Sequence, residues 1–339
     1  MQTTSAPASH QHHDHLDGWR GLAIALLLIG HFYPLPGINL GSVGVSFFFV
    51  LSGHLMGQLL FVKKTPLPLF YKRRISRILP AHLIFIACML LWFLVSGRAI
   101  NFNETLAALF FVNNYWVGTP GQNVMPFGHI WSLSVEEHSY ILLSLLAFAN
   151  RSWRWSAKHM IGICCLVILA CATLYWNRYS GRELQFDKWL HTEVAAFGIF
   201  VSVFFLLNFR QSTARSMQAP LWIALLAFGI CMQWWSVPGP LQLGLGVSAL
   251  ALAVNLLADT PETLKKLLGW RPLRMLGLWS FSLYLWQQPF YHLSHADTLP
   301  RSVAFGLALA CGLASYYGVE KPCREFLNRR WARNRLTQS

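Results

Sequence analysis

The chain has 339 residues, of which 55% are hydrophobic and 12% are charged, and its mean hydropathy is +0.41. Soluble domains carry about a quarter charged residues, so this composition excludes an ordinary soluble protein and indicates a membrane protein. The net charge of +14 does not indicate nucleic-acid binding, because the basic residues form short clusters between apolar stretches instead of following one soluble face.

Apolar stretches of about 20 residues, the length that crosses a bilayer as a helix, recur along the chain. They predict an all-α, polytopic membrane protein with about ten transmembrane helices. The predicted segments are 17–35, 41–62, 78–96, 130–148, 158–176, 187–207, 220–236, 240–258, 273–292 and 301–319. A shorter apolar stretch, 105–116, contains two Asn residues and is interpreted as a re-entrant or interfacial piece.

The Lys and Arg residues concentrate in alternate loops. Cytoplasmic loops carry the excess of these residues, and a cytoplasmic N-terminus puts 22 of the 27 on the inside. The distribution therefore predicts that both termini are cytoplasmic, and contact with anionic lipid headgroups then accounts for the net charge. We divide the chain into a disordered polar leader (1–15), a membrane domain (16–325) and a basic cytoplasmic tail (326–339).

The leader contains four histidines at a spacing that suits a metal ion: His10, His12, His13 and His15. A polar segment with almost no apolar residues has nothing to bury, which favours a disordered leader over a metal site. No metal is predicted.

Three ionisable residues, Asp17, Arg20 and His31, interrupt the first apolar segment. Charged groups are costly inside a membrane helix, so they mark candidate functional sites. Arg20 and His31 are separated by about 1100° of helix rotation, within roughly 20° of one face, and by a rise of about 16 Å. This predicts Arg20 at the cytoplasmic mouth and His31 well across the bilayer. The alternatives are an Arg20 that only reaches the headgroups and a His31 that is hydrogen-bonded near the outer surface.

Two small residues, Gly44 and Gly53, bound the most apolar stretch of the second segment. Small residues let membrane helices approach each other closely. We interpret these two glycines as packing positions.

The third segment opens with Arg73, Arg74 and Arg77. Arg74 and Arg77 are three residues apart and share a helix face, and two guanidinium groups side by side suit bidentate binding of phosphate. The alternative is that all three arginines are a cytoplasmic anchor with no ligand.

A stripe of polar residues marks the start of the fourth segment. The spacing i, i+3, i+7, i+11 places four side chains on one helix face: His129, Ser132, Glu136 and Tyr140. Such a stripe must face a cavity or a partner helix. Glu136 and Glu137 point about 100° apart, so one of them is expected to pair with a basic group. We favour Glu136 as the functional carboxylate because it shares the stripe with His129.

Taken together, these motifs resemble the acyltransferase-3 family of integral membrane acyltransferases. The matching strings, in the order of the family, are LDGWRGLAI (16–24) with Gly30 and His31, GVSFFFVLSG (44–53), FYKRRISRILP (70–80), HIWSLSVEEHSY (129–140), FSLYLWQQP (281–289) and VEKP (319–322). Residues 150–270 contribute little beyond hydropathy. Many members of the family have His where this chain has Gln287.

The resemblance implies a bacterial inner-membrane enzyme that moves an acetyl group from acetyl-CoA to a hydroxyl of a cell-surface polysaccharide, a lipid-linked sugar or a similar glycan. It implies that Arg20, Arg74 and Arg77 hold the donor's phosphates. Among the candidate catalytic residues, His31, Glu136 and His129, we expect His31 to be the base, since imidazole titrates near neutrality, and Glu136 to orient it or hold its charge.

Other readings remain open at this point. Direct transfer and an acyl-His31 intermediate are both compatible with the residues. A proton-coupled transporter would also place His and Glu inside the membrane, and a non-catalytic scaffold is a third alternative. The expected partners are the bilayer, acetyl-CoA and a glycan acceptor, with a second copy of the chain or polysaccharide-assembly proteins as further alternatives. The outer loops offer aromatic side chains for sugar stacking: Phe102, Trp116, Tyr179 and Trp189.

Overall fold

The computed structural model describes residues 14–117, 125–179, 188–209 and 218–336, and these form helices joined by turns. The α-helices are α1 Asp14–Phe32, α2 Leu40–Gly57, α3 Leu67–Val95, α4 Phe102–Leu109, α5 Trp131–Ser152, α6 Ala157–Arg178, α7 Thr192–Ala195, α8 Phe197–Phe209, α9 Ala219–Cys231, α10 Gly239–Leu241, α11 Ser248–Asn255, α12 Glu262–Leu268, α13 Arg271–His295, α14 Arg301–Ser315 and α15 Lys321–Leu336. Three π-helical stretches extend or join them: Gln58–Val62, Gln242–Val247 and Tyr316–Glu320.

The all-helical, multi-pass architecture predicted from hydropathy is confirmed. A helix overlaps each predicted segment, and among the described residues five helical stretches are long and apolar enough to cross a membrane: Leu40–Val62, Leu67–Val95, Ala157–Arg178, Thr192–Phe209 and Arg301–Trp331. Polar residues lower the hydropathy of α1 and α5, and Ala219–Cys231 and Gly239–Asn255 are shorter. The number of ten spans and the cytoplasmic position of the termini stay predictions.

The helices do not stop at the predicted domain boundaries. Helix α1 begins at Asp14, inside the predicted leader, and Asp14 forms an ion pair of 2.8 Å with Arg274 of α13. Residues 1–13, which include His10, His12 and His13, lie outside the described residues. Helix α15 runs through the predicted boundary at 325 and 326 and continues to Leu336.

Helix α1 lies between α2 and α13 and belongs to two apolar clusters. Trp19 and Ala23 belong to the cluster that also contains residues of α2, α8 and α11, whereas Leu27 and Phe32 belong to the cluster that contains residues of α3, α13 and α14. Because both sides of α1 are packed, the polar side chains of this helix can only be accommodated where neighbouring helices supply polar partners. The functional residues lie along these helix contacts.

Glycines allow the close approach of the helices around α2, as the sequence predicted. A Cβ atom at Gly44 would lie 2.6 Å from the carbonyl oxygen of Ala23 in α1, and one at Gly53 would lie 2.2 Å from the carbonyl oxygen of Ile199 in α8. Real Cβ atoms do not approach backbone oxygens so closely, so any larger residue must push the helices apart.

We therefore expect Gly53→Val to lower the thermal midpoint of the detergent-solubilised protein, because overpacking a tight helix contact costs about 1–3 kcal/mol or more. Size-exclusion chromatography after heating would measure the midpoint. The matched control is Gly306→Val, since a Cβ at Gly306 in α14 meets no atom within 4 Å. Equal midpoints for the two variants would contradict the packing role.

Candidate active site

Three arginines and a glutamate line one cavity between α1, α2, α3, α5 and α13, here named the arginine cavity. It encloses about 740 Å³ of empty space, including its open mouth. Its polar lining residues are Arg20, Ser52, Arg74, Arg77, Ser132, Glu136, Tyr140, Ser280 and Tyr284. All three arginines predicted to bind the donor, and the favoured carboxylate, thus share one space.

The arginines at the start of α3 divide between the surface and the cavity. Arg73 is exposed, whereas Arg74 and Arg77 are half-buried and line the arginine cavity. Arg74 donates a hydrogen bond of 2.9 Å to Glu137, and its guanidinium carbon lies 3.5 Å from the centre of the Tyr140 ring. Only Arg73 therefore has the position expected of a simple anchor.

The two adjacent glutamates have different partners, as their 100° separation predicted. Glu137 forms the ion pair with Arg74. Glu136 accepts hydrogen bonds from Ser52 Oγ at 2.8 Å and from Tyr140 Oη at 2.9 Å, and it faces the arginine cavity. A carboxylate held by two hydroxyl groups keeps further lone pairs for a ligand.

Glu320 is a further acidic group, and the periodicity of the sequence assigns it no role. It lies in the π-helical stretch before α15, is 2% exposed, and accepts a 2.7 Å hydrogen bond from Ser282 of α13. It forms an ion pair of 3.9 Å with Arg324, and its charge acts on Arg77. In the sequence, only its place in the VEKP string marks Glu320. Because 38 residues separate it from Ser282, their contact depends on the packing of α13 against this π-helical stretch.

His31 lies near the other end of α1 and contacts α13. Its Nδ1 is 2.8 Å from Oε1 of Gln287, while Gln287 Nε2 donates to Gln288 Oε1 at 3.0 Å and Gln288 Nε2 lies 3.1 Å from Nε2 of His292. An amide oxygen only accepts, so Nδ1 of His31 must be the donor in this arrangement and Nε2 carries the lone pair. A Cβ at Gly41 would lie 2.9 Å from that Nε2, so the free nitrogen faces the start of α2.

His129 does not follow the rest of its predicted stripe. It lies in the 3-10 turn Gly128–Ile130 that precedes α5, so the angle of 100° per residue does not apply to it. Its ring packs against Phe85 and Tyr284 and interacts with the backbone of Leu285. Ser132, Glu136 and Tyr140 line the arginine cavity as predicted.

Tyr284 connects the region of His129 with the arginine cavity. Its hydroxyl donates to the carbonyl oxygen of His129 and lies 2.6 Å from Ser132 Oγ. His31 and Glu136, by contrast, form separate hydrogen-bonded groups, so the structure gives no direct contact by which Glu136 would orient His31. Within the described part of the chain, no group of three or more His, Cys, Asp or Glu side chains is arranged to hold a metal ion.

A family profile described as "Acyltransferase domain" matches residues 13–318. The chain belongs to the acyltransferase-3 family. This membership favours acyl transfer over the transporter alternative. The match covers all the residues of the arginine cavity and the His31 contacts on α13.

Several curated relatives of this family member carry names that describe acyl transfer. It is 26% identical to "Putative peptidoglycan O-acetyltransferase YrhL" of Bacillus subtilis, over 93% of this chain and 56% of that protein. It is 26% identical to "O-acetyltransferase OatA" of Staphylococcus aureus, over 81% and 50%, and 28% identical to "Putative membrane-bound transacylase BcsY" of Komagataeibacter xylinus, over 93% and 83%. The chain thus spans about half the length of the first two. No solved structure matches it.

The ion pair between Arg74 and Glu137 yields a stability prediction. Their side chains are 13% and 23% exposed, and removing one partner of a buried pair costs up to about 3–5 kcal/mol when the burial is complete. We expect Glu137→Gln to lower the thermal midpoint of the purified protein clearly.

The control is Glu262→Gln. Glu262 also forms a 2.8 Å ion pair, with Lys265, but its side chain is 73% exposed, and exposed pairs contribute little to stability. If both variants melt at the wild-type temperature, the pair with Arg74 has no structural role.

Proposed function

We propose that this protein is a membrane-bound O-acyltransferase that moves an acetyl group from cytoplasmic acetyl-CoA to a hydroxyl of a cell-surface polysaccharide, a lipid-linked sugar or a similar glycan. Family membership supports the acyl-transfer chemistry. The names of the relatives, among them a peptidoglycan O-acetyltransferase, support acetyl as the group and a glycan as the acceptor. We further propose the bacterial inner membrane as the location, since donor and acceptor would then meet across it.

The observation that carries the donor side of this proposal is the convergence of Arg20, Arg74 and Arg77 on one cavity. Acetyl-CoA carries several phosphate groups on its nucleotide end and an uncharged thioester on the other. Guanidinium groups in a half-buried site bind phosphates through charge-assisted hydrogen bonds. The proposed pose places the phosphates among these arginines and extends the pantetheine arm along α2.

His31 is the proposed base. Its Nε2 would take the proton of the acceptor hydroxyl as the oxygen attacks the thioester carbon, and the proton would then pass to the sulfur of the departing CoA. Gln287, through Nδ1 of His31, holds the tautomer that this step requires. Direct transfer needs no covalent enzyme intermediate, and we adopt it as the simpler scheme.

Glu136 and His129 keep secondary roles in the proposal. Glu136 interacts electrostatically with Arg74 and would balance the positive charge of the cavity between turnovers. His129 is buried beside Tyr284, and a ring N–H of His129 would donate to the oxyanion of the tetrahedral intermediate.

The decisive test uses vesicles that contain the purified protein, acetyl-CoA labelled in the acetyl group, and the envelope glycan of the source organism. We expect label to appear in alkali-labile ester linkage on the glycan and free CoA to accumulate in equal amount. Release of CoA with no label on the glycan would refute the acceptor class, and no consumption of acetyl-CoA would refute the donor.

For the donor side, we expect Arg77→Ala to weaken acetyl-CoA binding by roughly 10- to 150-fold, because charge-assisted hydrogen bonds contribute about 1.5–3 kcal/mol and each 1.4 kcal/mol is tenfold in affinity. Calorimetry on detergent-solubilised protein measures the affinity. Arg73→Ala is the matched control, since it removes the same charge from the exposed face of the same helix. Equal losses of acetyl-CoA affinity in the two variants would indicate that Arg77 is a cytoplasmic anchor and does not bind the donor.

For the base, we expect His31→Ala to lower kcat by roughly 100- to 10,000-fold, the usual contribution of general acid–base catalysis, while the affinity for acetyl-CoA changes less than about threefold. Labelled turnover and calorimetry on the same preparation separate the two quantities. His159→Ala, on the exposed start of α6, is the control. Substantial turnover by well-folded His31→Ala would eliminate His31 as the base.

A further inference from the structure

A second cavity lies between the start of α2, the start of α5, the residues before α7 and the α9–α10 connection. It encloses about 850 Å³ of empty space, including its open mouth, and is here named the tryptophan cavity. Three indole rings and three amides dominate its lining: Trp131, Trp189, Trp235, Asn39, Gln233 and Gln242. Of the four aromatic residues that the sequence suggested for sugar stacking, only Trp189 lines it.

The lining of this cavity differs in charge from that of the arginine cavity. Every described residue that lines it is uncharged, so it has no groups to neutralise a phosphate. Indole rings offer flat apolar faces with a polar edge, and amides offer both donors and acceptors. A neutral ring with one apolar face and a rim of hydroxyl groups, which is the chemistry of a pyranose, fits this combination.

Two of the amides are held in fixed orientations. Nε2 of Gln242 donates to the carbonyl oxygens of Trp234 at 3.0 Å and Val237 at 2.9 Å, which leaves Oε1 as an acceptor. Oδ1 of Asn39 accepts from the backbone N–H of Ser42 at 3.1 Å, which leaves its amide nitrogen as a donor. Preorganised polar groups of this kind give a binding site its specificity.

The tryptophan cavity adjoins both parts of the candidate active site. Val45 and Phe49 of α2 line it on one side and the arginine cavity on the other. A Cβ at Gly41 would lie 2.9 Å from Nε2 of His31 and 3.1 Å from Oδ1 of Asn39. The free nitrogen of His31 and the side chain of Asn39 therefore both lie beside Gly41.

We propose that the tryptophan cavity binds a neutral pyranose unit of the acceptor and presents one hydroxyl to Nε2 of His31. This inference rests on the proposed function. In the step it serves, the hydroxyl O–H bond breaks and its proton goes to His31, a C–O bond forms to the acetyl carbon, and the C–S bond of acetyl-CoA breaks. The proton then passes to the CoA sulfur, so the products are the O-acetyl sugar and CoA.

The variants for the test are Asn39→Asp and Trp235→Ala. Aspartate keeps the oxygen that accepts from Ser42 but replaces the amide donor, and Trp235 is 60% exposed, so both changes leave the packing intact. Trp235→Phe is the conservative variant. Trp270→Ala is the control, because Trp270 is exposed to a similar extent, 63%, and does not line this cavity.

The probe is the neutral oligosaccharide fraction released from the envelope of the source organism and labelled with tritium at its reducing end. Equilibrium dialysis without acetyl-CoA measures its binding to the full chain, and labelled turnover measures KM for each substrate. We expect Asn39→Asp and Trp235→Ala to weaken oligosaccharide binding and to raise the acceptor KM at least tenfold, with KM for acetyl-CoA within twofold of wild type. Trp235→Phe and Trp270→Ala should stay near wild type.

The two measurements separate the two proposals. If the wild type binds the oligosaccharide and the cavity variants bind it more weakly, but the wild type transfers no acetyl group, the proposed function is refuted and the sugar site is supported. Transfer by the wild type with an unchanged acceptor KM in both variants would refute the sugar site alone. Absence of oligosaccharide binding to the wild type would also overturn the site.

Discussion

The cost of placing charge inside a bilayer controls the arrangement of this protein. A guanidinium group in hydrocarbon requires a counter-charge or a water-filled cavity, and Arg20, Arg74 and Arg77 share one cavity and have acidic groups nearby. Arg74 has Glu137 and the face of Tyr140, and Arg77 has the field of Glu320. The carboxylates come from α5 and from the stretch before α15, so the charges hold together helices that are far apart in the chain.

Close packing around α2 gives these charges a fixed geometry. Gly44 and Gly53 remove the side chains that would separate α2 from α1 and α8. Because the backbone of α2 is held on two sides, the residues on its remaining face have fixed positions: Ser42, Ser46, Phe49 and Ser52. That face passes from the uncharged tryptophan cavity to the charged arginine cavity, so one helix separates two chemically different environments over a short distance.

Regular periodicity explains which parts of the site the sequence could predict. The angle of 100° per residue placed Ser132, Glu136 and Tyr140 on one face and gave Glu136 and Glu137 different partners, and both predictions are confirmed by the contacts. The same rule failed for His129, because a 3-10 turn precedes α5. Contacts between distant segments, such as Ser282 with Glu320 and His31 with Gln287, leave no periodic signal in a single sequence and depend on how the helices pack.

Gln287 of α13 fixes the tautomer of His31 through its amide oxygen. A histidine at this position could exchange a proton with His31, whereas an amide can only fix its tautomer. The amide of Gln287 is in turn oriented by Gln288, and that of Gln288 by His292. Each amide satisfies the next, so reversing one requires reversing all of them, and this series of hydrogen bonds ends at the ring of His292. Under the proposed function, a proton taken up at Nε2 of His31 is therefore passed on at the start of α2, where Gly41 and Asn39 lie, because the amides of α13 cannot relay it.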